Sequence, residues 1–161
     1  MSAIADVGRT AVYAAEDAAL GGTDLDEERP LPDLVAIAAA LTTGPWWREV
    51  GGPRVVVAAA RPNARSSAAR AGSGRVVRIT LAGGQRTVAT LAHELAHALA
   101  GVPHGHDATF RAAHVDVVAL LAGAAAGEAL AAAYGRLGVP AGRRSWAAPF
   151  RAVGDGFAVL P

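Results

Sequence analysis

Val88, Leu91, Leu95 and Leu99 recur at spacings of three and four between the pair Gly83-Gly84 and the stop Gly101, Val102 and Pro103. That period is the mark of an amphipathic helix over residues 86–100, with one buried face and defined ends. A helix of this kind must pack on something, and just before it the period changes. Pro53–Ala60 (PRVVVAAA) and Arg75–Leu81 (RVVRITL) are rich in β-branched residues and read as strands. Residues 9–50 read as helical: Val12, Ala15 and Ala19 keep helix spacing, Asp33 is placed to cap a helix through Leu41, and Gly44-Pro45 ends it before Trp46 and Trp47. A further helix is expected from near Asp107 through Val118 or beyond, with Gly123 and Gly127 leaving open whether the stretch to Leu137 is one helix or two. The segments 146–153 and 157–160 read as a short hairpin or an extended tail. The expected fold class is α+β, with the 86–100 helix packed on a small sheet and helices on its N-terminal and C-terminal sides. Two strands alone make a marginal sheet. A third is expected from Phe150–Val153 or Phe157–Leu160, or else the N-terminal helices cover the open face.

Composition narrows the classes. The 161 residues fit a single domain, 1–161, and 52% hydrophobic against 18% charged residues argues against a disordered chain. The absence of cysteine removes disulfides, thiolate nucleophiles and every Cys-containing zinc finger. All 15 basic residues are arginine, set against 14 acidic ones, and a net charge of +1 gives no global case for nucleic-acid binding. Residues 61–74 (RPNARSSAARAGSG) carry Arg61, Arg65 and Arg70 without interleaved aromatics, and read as a solvated, mobile loop rather than a nucleic-acid surface. The acidic run Asp24, Asp26, Glu27 and Glu28 reads as another solvated loop. Asp6, Arg9, Glu16 and Asp17 interrupt any signal-peptide core, and the longest apolar stretch, Val117–Gly127, falls well short of the roughly 20 residues needed to span a bilayer. The expectation is a cytoplasmic protein with no membrane partner.

All five histidines, His93, His97, His104, His106 and His114, fall within 22 residues, and the first two flank Glu94 in an HExxH pattern. Four residues of helix turn through about 400°, so His93 and His97 lie one turn apart on one face and can share a metal ion. Glu94, next to His93, is placed to act as general base on a water activated by that ion. A third ligand has to come from beyond the turn at Gly101–Pro103, where both His104 and His106 are available. His114, eight residues after His106, reads as a residue that orients a neighbour rather than one that binds the ion.

The segment His106-Asp107-Ala108-Thr109-Phe110 resembles the HGxxF element that follows HExxH in SprT-like and related minimal zincin metallopeptidase domains. More widely, VYAAED at Val12–Asp17, the tryptophan pair, two strands and LAHELAHAL follow the order of a family of HExxH metallohydrolases known mainly from genomes. The resemblance covers most of residues 10–120. It implies a minimal zincin-like fold, with His106 as third ligand and Phe110 in the core. Two departures stand out: Asp107 occupies the usual glycine position, and an extra histidine, His104, precedes it. Asp107 is free to cap the next helix or to accept a hydrogen bond from an imidazole. The longer pattern HExxHxxGxxH is absent, its last position being Pro103, which excludes a metzincin.

Three neutral imidazoles and an open position suit one Zn²⁺ ion. The expected chemistry is hydrolysis of an amide or ester carbonyl, with Glu94 moving the proton. Arg111, His114, Tyr134 or an arginine of the 61–74 loop is expected to serve a developing oxyanion. The motif specifies activated water and names neither the substrate, for which a peptide is one candidate, nor the oligomeric state. A non-catalytic structural or regulatory zinc domain competes with this reading and would be marked by His104 closing the coordination shell. A third reading makes the arginine loop an adaptor for an anionic partner.

Overall fold

The fold is built outward from one buried strand. In the computed structural model, which describes residues 6, 8–71, 75–153 and 156–159, β3 (Val76–Leu81) is the centre of a three-stranded sheet. Val77, Ile79 and Leu81 alternate into the core while Arg78 faces out, the period-2 pattern of a half-buried strand. β1 (Arg54–Ala59) lies parallel to it on one side, with Val55 opposite Val77 and Val57 opposite Ile79. β2 (Ser67–Ala71) lies antiparallel on the other side, with Ala68 opposite Ile79.

This sheet corrects two sequence expectations. The third strand comes from within the segment read as a loop, not from the C-terminus. Phe150–Val153 (β4) instead pairs with Gly156–Val159 (β5) in a separate two-stranded ribbon, and Leu160 lies outside the described residues. Alanine and arginine have poor strand propensity, so β2 is invisible as a local pattern; its pairing with β3 makes it a strand. The pairing is reinforced by side chains. Ser67 Oγ lies 3.1 Å from Thr80 Oγ1, and Ser66 Oγ accepts from the Ala82 amide at 2.9 Å.

The helices are α1 (Arg9–Leu20), α2 (Leu31–Thr42), α3 (Pro45–Glu49), α4 (Val88–Ala100), α5 (Ala108–Ala122) and α6 (Ala124–Arg136). α2 starts two residues before Asp33, which sits in its first turn and does not cap it; prolines at 30 and 32 open the helix, where missing N–H groups cost nothing. Gly123, at φ +98°, separates α5 from α6 and settles the stretch to Leu137 as two helices. Trp46 and Trp47 are both buried in α3. Trp47 Nε1 donates to the Pro53 carbonyl, and a Cβ at Gly52 would sit 2.3 Å from the Trp47 indole, so this corner requires glycine.

α4 packs between the sheet and α5, with Leu91 and Leu95 fully buried. α1 lies against α6. Among the described residues, no helix is long and apolar enough to cross a membrane.

Candidate metal centre

α4 presents the first three residues of the site because it is capped and anchored. Thr87 Oγ1 accepts from the Thr90 amide, and the apolar stripe is locked in the core. His93 and Glu94 are carried into buried positions beside that stripe, and His97 follows one turn later. After the turn, Asp107 caps α5 by accepting from the Phe110 amide at 3.0 Å. His106, just before that cap, is thereby aimed back at α4.

The result is a convergence of three Nε2 atoms. His93 Nε2 lies 3.2 Å from His97 Nε2 and 3.0 Å from His106 Nε2. Tetrahedral zinc with Zn–N bonds of 2.0–2.1 Å holds its nitrogens about 3.3 Å apart, so the spacing suits a single divalent ion.

Two carboxylates account for the opposite ring nitrogens. His93 Nδ1 donates to Glu16 Oε1 at 2.9 Å, and His106 Nδ1 to Asp6 Oδ2 at 2.6 Å. When both rings are neutral and their Nδ1 protons are held this way, bare Nε2 lone pairs face one another at 3.0 Å. A cation relieves that opposition, and carboxylate–imidazole pairs of this kind orient metal ligands. The donor set therefore fits a metal ion.

Asp6 holds His106 twice, since its Oδ1 also accepts from the His106 amide at 3.1 Å. Gly105, at φ +59°, lets the chain turn so closely that a Cβ there would lie 3.2 Å from Asp6. Phe110, wholly buried, floors the cluster, with its ring centroid 4.4 Å from that of His97 and 5.0 Å from that of His93.

The electrostatics follow from burial and neighbours. Burial, and then the imidazoles of His93 and His106, pull His97 down to about 3, which keeps it neutral. Burial likewise lowers His106, against the pull of Asp6. Burial opposes charge on Glu16 as well, but the imidazoles of His114 and His93 outweigh it and hold that carboxyl near 2. Burial pushes Glu94 up to about 7, against the nearby His93 and helped by the charge of Glu16.

Beside His93 and Glu94 opens a groove of about 470 Å³ between α1 and the start of β2, bordered by Arg9, Tyr13, Asp17, Arg65 and Thr90. Tyr13, 46% exposed, stacks flat on the His93 ring with centroids 5.4 Å apart, and the Arg9 guanidinium lies over the Tyr13 ring.

The other residues singled out from sequence lie elsewhere. His104 stays out of the cluster, half-exposed and paired with Asp107 at 2.8 Å. Arg111 spends its guanidinium on the carbonyls of His106 (2.8 Å) and Pro140 (3.1 Å), which braces the His106 turn. His114 and Tyr134 are wholly buried and 2.6 Å apart, behind His93 and away from the groove lining. Of the loop arginines, Arg65 borders the groove.

Sequence reasoning missed Asp6, Glu16 and Tyr13. For Glu16 a signal existed: it lies four residues after Val12, on the buried stripe of α1, where an unpaired carboxylate would be costly. Compared with protein-family models, with curated proteins and with solved structures, the chain matches none, and its reading rests on the convergence of imidazoles beside a buried glutamate.

Proposed function

We propose that this chain is a single-domain, zinc-dependent hydrolase acting on an amide or ester carbonyl, peptidase-like in its chemistry. The observation that carries the reading is the meeting of three Nε2 atoms at His93, which together with Glu94 lines the groove. His93, His97 and His106 are the proposed ligands of one ion, which when bound would supply Lewis-acid polarisation of the carbonyl and lower the pKa of an attacking water.

The remaining work falls to the protein. Glu94, raised to about 7 by burial, takes a proton from the attacking water and returns it to the leaving group, since a carboxyl poised near neutrality exchanges protons in both directions. Glu16 and Asp6 hold the ring orientations of His93 and His106. Arg9, Tyr13 and Arg65 border the groove and are among the donors available to a developing oxyanion. Arg111, His114 and Tyr134 are committed to other partners. The half-exposed pairing of His104 with Asp107 favours hydrolysis over a closed structural site, because it leaves a coordination position for substrate.

The test is Glu94→Gln. Zinc content should stay within about 20% of wild type while turnover of a peptide or ester library falls about 10²–10⁴-fold. Loss of zinc in proportion to activity would make Glu94 a ligand or a structural residue and remove the mechanism.

A further inference from the structure

Behind the proposed metal centre lies a buried polar chain that reaches the groove only through Glu16. Tyr134 of α6 and His114 of α5 are both fully buried, and the Tyr134 hydroxyl lies 2.6 Å from His114 Nδ1. His114 Nε2 in turn lies 3.3 Å from Glu16 Oε1, the same oxygen that accepts from His93 Nδ1, and among the described residues it has no hydrogen-bonded partner. A tyrosine, a histidine and a glutamate from three helices thus end on a proposed ligand carried by a fourth.

Proton accounting gives the chain a direction. Were His114 to donate from Nδ1 to the tyrosine oxygen, its bare Nε2 would face the Glu16 carboxylate, lone pair against negative charge, inside the core. With the tyrosine donating, Nε2 carries the proton and turns it toward Glu16. One carboxylate oxygen is then approached by two imidazole N–H groups, which restricts its rotamer. That oxygen selects the tautomer of His93 whose Nε2 is free for an ion.

We propose that Tyr134 and His114 are positioning residues for the metal centre, setting the orientation and tautomer of His93 through Glu16. The proposal rests on the reading of His93 as a zinc ligand. Glu16, His93 and His114 also form a compact donor set of their own. With the proton assigned to His114 Nε2, this set meets the Glu16 carboxylate with N–H groups at 2.9 and 3.3 Å and offers an ion no free imidazole lone pair.

The experiment measures zinc affinity of the full chain by competition with a chromophoric chelator, in wild type, Tyr134→Phe, His114→Gln and His114→Leu. Imidazole ¹⁵N spectra of the zinc-free proteins report the His93 tautomer. His114→Leu fills the site without a donor and should weaken zinc binding by about 10–100-fold, as expected for loss of a partner that orients a ligand. His114→Gln keeps an N–H toward Glu16 and should stay within about 3-fold of wild type, and Tyr134→Phe should fall between the two. The spectra should show His93 protonated at Nδ1 in wild type and mixed tautomers in the leucine variant.

A merely structural role predicts equal effects of Gln and Leu and an unchanged tautomer, and that result overturns the proposal. So does a zinc stoichiometry of two that falls to one in His114→Leu. Should the leucine variant fail to fold, Tyr134→Phe, which deletes one hydroxyl, decides: wild-type affinity there is a refutation. If wild type itself binds no zinc, the metal reading fails, a result separate from the failure of the positioning chain alone.

Discussion

Two polar clusters, one on α5 and one at its entrance, differ in one respect. At Asp116, every strong acceptor meets a donor: Arg144 makes two bonds to the carboxylate, at 2.9 and 2.7 Å, and Trp146 Nε1 adds a third at 2.8 Å. This closed arrangement ties the stretch after α6 to the body of the fold. At the start of the same helix, the histidine cluster is closed on its outer side by Asp6 and Glu16 and left open on its inner side, where ring nitrogens face one another. A satisfied buried cluster is explained by stability alone. One that, with its rings neutral, places acceptors against acceptors costs free energy that a proton or a bound cation would relieve.

The comparison breaks first at His106. His106→Ala removes a proposed ligand and should weaken zinc binding by more than the roughly 10-fold typical of losing a ligand's hydrogen-bond partner. The secondary structure should persist, because Phe110 and Asp107 still begin α5. Retention of wild-type affinity, measured by chelator competition, would show that the open cluster does not need its third ring.

Asp116→Ala should do the reverse. Breaking the clamp strands the Arg144 and Trp146 donors, but Arg144 is partly exposed and can rehydrate, so the cost is about 2 kcal/mol of folding stability. Urea unfolding should register it, while zinc affinity of the folded protein stays unchanged. A loss of zinc binding with no change in stability would reverse the roles of the two clusters.

The smallest effect is expected at His104. Its ring is half-exposed and paired with Asp107, so His104→Ala should hold zinc within about 2-fold of wild type and cost well under about 1 kcal/mol. A large loss of zinc would bring His104 into the coordination shell and favour a structural site.

What could be read from the sequence follows the same division between local and remote causes. The helix Val88–Ala100 was legible because its stripe, its stops and its HExxH spacing are all local. So was the helix after Asp107, whose cap and Phe110 anchor lie within one turn. β2 was not legible, since Ser-Ala-Ala-Arg-Ala has no strand pattern of its own and becomes a strand only beside β3. Asp6 and Glu16 were missed for a related reason. Each reaches its histidine across 100 and 77 residues respectively, and nothing near Asp6 in the sequence marks it as a partner. Tyr134 was singled out as a group that orients a ligand or serves an oxyanion, with nothing in its local sequence to choose between them. Its hydroxyl suits an oxyanion donor, but α6 packs against α1 and buries it on His114, away from the groove.

The central claim, that the open histidine cluster is a metal site, is tested most directly by elemental analysis of the full chain purified without added metal, beside a His93→Ala/His97→Ala variant whose folding is checked by circular dichroism. The account predicts about one zinc ion per chain in wild type and background levels in the variant. Equal zinc in the two proteins would contradict it.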